Sequence, residues 1–147
     1  MFNFRLQTVL DVRKTMEDKA LSEFSEQQRE LKKEKEVFQS IRQKKNELVD
    51  ALREIQGKKV SISEITMNSD SIKRCQKNEA IQKERVQEAK IKVNMKKKEL
   101  IEATKKRKTM EILKSKQLGK YQFEAGVLER TAIEEMVIVR HNRRKQE

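Results

Sequence analysis

The chain has 147 residues, of which 41% are charged and only 4% aromatic; proline is absent and glycine occurs three times, at Gly57, Gly119 and Gly126. So much charge with so few large apolar side chains excludes a layered globular core and leaves disorder or extended helix as the alternatives. The net charge of +12 is uneven, since residues 1–60 carry 14 basic and 11 acidic side chains while residues 61–147 carry 22 and 13; the surplus on the second half suits an acidic partner, whether nucleic acid, anionic headgroup or protein surface.

Helical periodicity decides between the two alternatives. Steps of four and three from Leu6 reach Leu10, Arg13, Glu17, Ala20, Phe24, Gln27, Leu31, Glu34, Phe38, Ile41, Lys45, Leu48, Leu52 and Ile55. Most of these are apolar, and the seam predicts one coiled-coil helix over about residues 4–56. Gly57 favours termination there. A connector over 57–70 follows, rich in hydroxyl and amide side chains, with Ser61 and Glu64 at capping-box spacing and Asn68, Ser69 and Asp70 as a second set of N-cap residues.

A second helix over about 71–141 continues the pattern through Ile72, Cys75, Glu79, Gln82, Val86, Ala89, Val93, Lys96, Leu100, Ala103, Arg107 and Met110. After a four-residue stutter the seam runs on through Lys114, Leu118, Tyr121, Ala125, Leu128, Ala132, Glu135 and Val139, and residues 142–147 form a frayed basic tail. The predicted fold is all-α, a single domain: a long antiparallel two-helix coiled-coil hairpin whose second helix is longer than the first.

Pairing residues whose numbers add to 127 sets large side chains against small or aliphatic ones, with Phe38 facing Ala89, Phe24 facing Ala103, Ile41 facing Val86 and Leu6 facing Tyr121. That leaves Gln122 onward without a partner, although Ala125, Leu128, Ala132, Met136 and Val139 form an apolar stripe there. A stripe of this kind calls for a partner.

No chemistry-bearing constellation stands out. His141 lies in the basic tail without other ligands nearby, Cys75 is the single cysteine and falls on the seam, and Gly57 with Lys58 and Lys59 lacks the rest of a phosphate loop. The reading is a non-enzyme without cofactor or metal. A lone cysteine fits a reducing compartment, no apolar run is long enough to span a membrane, and the opening alternates apolar and polar residues unlike a secretory signal. Lys96, Lys97 and Lys98, and Lys105, Lys106, Arg107 and Lys108, form a basic face; no stacking platform or zipper-linked basic region accompanies them, so specific nucleic acid is not expected.

The opening residues Phe2, Phe4, Arg5, Leu6, Val9, Leu10 and Arg13, and the closing Glu129, Glu134, Glu135, Met136 and Arg140, resemble the two ends of the FliJ proteins of the bacterial flagellar type III export apparatus. The resemblance implies a cytoplasmic stalk, peripheral to the inner face of the cell membrane at the flagellar base. Implied partners are the hexameric export ATPase, the cytoplasmic domain of the export gate protein, and export chaperones. The ring contact would use Phe2, Phe4, Leu6, Ala125, Leu128, Ala132, Met136 and Val139. The gate contact would use Ile65, Met67 and Ile72, in a stretch that here has no aromatic residue. A homo-oligomeric rod covering the same stripe, or a basic hairpin with steeply salt-dependent nucleic-acid binding, are the competing readings.

Overall fold

The computed structural model describes residues 2–55 and 61–144. Two α-helices make up almost all of them: α1, Gln7–Ile55, of 49 residues, and α2, Ile62–Arg144, of 83 residues. They pack against each other antiparallel, so the fold is the helical hairpin with a longer second helix.

Local sequence explains both starts. The Gln7 amide donates to the Phe4 carbonyl at 3.0 Å, and the Leu10 amide to the Leu6 carbonyl at 3.0 Å, which sets the first turn of α1 just after the Phe4 backbone. At α2 the Ser61 hydroxyl accepts from the Ser63 amide at 3.1 Å, and the Ser61 carbonyl accepts from the Glu64 amide at 3.1 Å. Ser61 is thus the N-cap, with Glu64 in the positively polarised first turn.

The expected connector over 57–70 is therefore too long, because Asn68, Ser69 and Asp70 lie inside α2. Thr66 and Ser71 turn their hydroxyls back onto the carbonyls of Ile62 and Met67 at 2.9 Å each. Side chains of this kind compete with a helix only when they capture the backbone of another conformation; bonded to the preceding turn, they ride along it. The expected stop at Gly57 lies outside the described residues. Gly119 and Gly126 sit within α2 without positive φ, and a side chain at either would meet nothing within 4 Å.

Two compact units divide the chain, one of residues 18–102 and one of residues 1–17 with 103–147. In the first, Gln82, Val86 and Ala89 of α2 are the buried residues, and Lys45 pairs with Glu79 while Lys96 pairs with Glu23. In the second, Phe4 and Leu10 are buried at 4% and 2% exposure. Every seam position predicted on α1 except Leu6 is buried or half-buried, as is every one predicted on α2 from Ile72 to Leu118.

The register differs from the expected one. Under the 127 pairing Glu34 would face Val93, Glu23 would face Thr104, and Gln7 would face Lys120. Instead the Gln82 amide bonds Glu34, Lys96 bonds Glu23 at 2.8 Å, and Lys114 bonds Gln7 at 2.8 Å. Each partner lies earlier on α2, by about one heptad on average. The cause is the polar seam. Matching large with small apolar residues favours 127, but that pairing sets Glu34 against Val93 and Glu23 against Thr104, away from the Gln82 and Lys96 donors that hold them here. In the observed register Arg107 and Thr104 hold Glu17, the latter at 2.8 Å. An ion left half-buried without a partner costs more than a less complementary apolar layer.

Candidate docking surfaces

The unit of residues 1–17 and 103–147 holds a polar cluster on its seam. The Glu17 carboxylate accepts from the Arg107 guanidinium and from the Thr104 hydroxyl, and Arg107 also donates to Glu111 at 2.5 Å. The Arg107 hydrogen bond, then that of Thr104, hold the Glu17 carboxyl below its ordinary value against the opposing effect of desolvation. In the other unit the Lys96 ammonium bridges Glu23 and Glu99 at 2.8 Å each. It lowers the Glu23 carboxyl, while the two carboxylates raise the lysine.

Two members of the predicted basic face, Lys96 and Arg107, are therefore half-buried and occupied within the chain. Lys97, Lys98, Lys105, Lys106 and Lys108 are exposed. The two clusters fall in different units.

Past the cluster, the N-terminal residues close over α2. The Phe2 and Tyr121 rings lie 5.7 Å apart with a 49° tilt, and the Lys114 ammonium sits 6.0 Å from the centre of the Phe4 ring. Phe4 is buried at 4% exposure, with its ring in this internal contact. Leu6, predicted to face Tyr121, is 38% exposed because Phe2 takes that place.

Tyr121 marks the end of pairing. Beyond it Ala125, Leu128, Ala132, Met136 and Val139 are all exposed, Leu128 at 71%. They continue the α2 seam that carries Lys114, Leu118 and Tyr121, so α1 leaves the stripe uncovered. Phe123 at 68%, Val127, Ile133, Val137 and Ile138 are also exposed in this segment. They lie off the face of the stripe; Phe123, Val127 and Val137 share a second row of four-and-three spacing, which Ile133 and Ile138 do not join.

At the start of α2, Met67 is 71% exposed, Ile65 38%, and Ile72 half-buried. Ile62, 83% exposed, is the most open large apolar side chain there. The predicted connector hid it. Among the described residues no group of His, Cys, Asp and Glu side chains could hold a metal ion, and no helix is long and apolar enough to cross a membrane.

A helical hairpin held in register by polar pairs, with apolar side chains displayed past its paired length, is a coiled-coil component of a larger assembly. The chain belongs to the FliJ family: the family model described as "Flagellar FliJ protein" matches residues 1–146. It is thereby a structural component of the type III export apparatus, serving flagellar protein transport. The fold is similar to the solved structure of a YscO homolog, CT670, from Chlamydia trachomatis, with a TM-score of 0.58 at 20% identity, covering 100% of this chain and 99% of that one. Comparison with curated proteins finds no match.

Proposed function

We propose that the chain is a non-enzymatic stalk of the flagellar export apparatus, with the unpaired part of α2 seated against the hexameric export ATPase. The observation that supports this reading is the uncovered stripe of Ala125, Leu128, Ala132, Met136 and Val139, exposed where α1 ends. Apolar surface left contiguous and open is an interface in waiting. Phe2 and Leu6, beside the start of that segment, complete the contact. At the other limit of α2, the exposed Ile65 and Met67, joined by Ile62, would meet the cytoplasmic domain of the export gate. The exposed lysines would speed encounter with acidic surfaces of the ATPase or of export chaperones. Such a component works in the cytoplasm, peripheral to the membrane.

The deciding experiment places charge on the stripe. Leu128→Glu with Met136→Glu is expected to abolish stimulation of the export ATPase while helicity and melting of the isolated chain stay close to the parent, because neither side chain is in the paired seam. Unchanged stimulation, or a large loss of stability in the free chain, would move the ring contact elsewhere.

A further inference from the structure

The segment of α2 after Gln122 has a second ordered face. Phe123, Val127, Arg130, Glu134, Val137 and His141 recur at alternating steps of four and three, and all six are exposed. At about 3.6 residues per turn this row runs along the side of the helix opposite the stripe. Its apolar members are open to solvent, Phe123 at 68%, Val137 at 61% and Val127 at 42%.

We infer that this face is a seam for a second copy of the chain, docked antiparallel about a two-fold axis beside Ala132. The row reads the same from either end in the sense that matters for such a pair. With the axis there, Val127 meets Val137 of the second copy, Phe123 meets His141, and Arg130 meets Glu134; symmetry makes each contact twice. In heptad terms every pairing sets an a position against a d position, the rule for antiparallel helices.

Charge selects the direction. A parallel pair in register would stack Arg130 on Arg130 and Glu134 on Glu134 at its centre, whereas the antiparallel pair turns the same four side chains into two reciprocal ion pairs. The length also fits. Intrachain pairing ends at Tyr121, whose ring meets Phe2 at 5.7 Å, and the proposed seam begins two residues later and runs to the last described turns of α2. The overlap of some 19 residues is roughly 28 Å of helix. That is a small interface, at the low end for specific association, so the dimer is reversible with a dissociation constant on the order of micromolar. This inference goes beyond the ATPase reading and does not depend on it, since the stripe is on the other side of the helix.

The test uses the full chain and its charge-reversed variants in sedimentation equilibrium. The parent is expected to dimerise as its concentration rises, and Arg130→Glu and Glu134→Arg are each expected to weaken this at least about tenfold by opposing like charges. Mixing the two variants should restore the dimer, because one chain then carries two glutamates and the other two arginines at the facing positions. A second measurement reads direction: in a Cys75→Ser background, Val127→Cys chains mixed with Val137→Cys chains should form interchain disulfides, while Val127→Cys alone should not. A parent that stays monomeric to about 200 μM, well above the expected constant, overturns the inference. So does failure of the mixture to recover, self-crosslinking of Val127→Cys, or a dimer lost in the Leu128→Glu, Met136→Glu variant but retained in both charge variants. The charge variants should leave ATPase stimulation intact, which keeps failure of the dimer distinct from failure of the stalk reading.

Discussion

Replacing Gln82 with leucine isolates the energetic role of the polar seam. Gln82 is 4% exposed, and its amide donates to the Glu34 backbone carbonyl at 3.1 Å and to the Glu34 carboxylate. Leucine keeps the volume but removes the donor, leaving an acceptor and a half-buried carboxylate facing an apolar side chain. Such orphaned groups cost roughly 1–3 kcal/mol, and in a chain of this size each kcal/mol moves the melting temperature by about 3–6 °C. The expected drop is about 5–10 °C at neutral pH by circular dichroism. Adding Glu34→Leu should recover most of it, since an apolar pair of similar shape is nearly neutral in place of a polar one. Recovery of stability should come with a loss of register. The competing pairing sets Phe38 against Ala89, so a Phe38→Cys, Ala89→Cys pair in a Cys75→Ser background should crosslink little within the parent chain and markedly more in the Gln82→Leu, Glu34→Leu variant. A single variant as stable as the parent, or equal crosslinking in both backgrounds, would refute the assignment of register control to these polar pairs.

Two further outcomes follow from the same structure. The Glu17 carboxyl is held below its unfolded value by Arg107 and Thr104, so its contribution to stability is complete above the unfolded value and is lost as pH falls through the lower folded one. Melting of the parent should therefore fall more steeply between about pH 5 and pH 3 than that of Glu17→Gln, and parallel curves would remove Glu17 from the account. Gly119→Ala should raise stability by about 0.5–1 kcal/mol, because the position is helical, φ is negative and nothing lies within 4 Å of an added methyl. A decrease in chemical denaturation would mean that helix propensity does not govern this site.

The seam was legible from periodicity alone, because burial on a paired helix follows the four-and-three row whatever residue occupies it. Arg13, Glu17, Gln27, Glu34 and Lys45 are buried or half-buried with the leucines between them. Register was not legible from apolar matching, which treats those same residues as interruptions. Polar contacts fix the offset: Glu34 takes Gln82, Glu23 takes Lys96, and Gln7 takes Lys114. A search for opposite charges one turn apart across the seam would have recovered it. The start of α2 was misjudged for a different reason. Two capping sets stand seven residues apart, and only the Ser61 set is used, because a helix once capped gains from each further turn and has no cause to begin later. Exposure of Leu128, Met136 and Val139 was legible because it depends only on α1 being too short to reach them. Burial of Phe4 was not, since it depends on how the chain turns before the first helical residue.

The two faces of the unpaired segment differ in what each can accept. The stripe is the continuation of the row that packs on α1, through Lys114, Leu118 and Tyr121, so a partner covering it takes the place that a longer α1 would have occupied. It must therefore offer a helix, or a groove of the same pitch, aligned with the hairpin. The opposite row has no such inheritance, and its central Arg130 and Glu134 demand complementary charge before its valines can be buried. An interface built on the first face selects by shape and one built on the second selects by charge. Because the rows share no side chain, substitutions on the two should combine additively to within about 0.5 kcal/mol unless both are engaged at once. Coupling between Arg130→Glu and Leu128→Glu in ATPase stimulation would show that one partner embraces the helix from both sides. Independence would show that the chain keeps one face free while the other is bound.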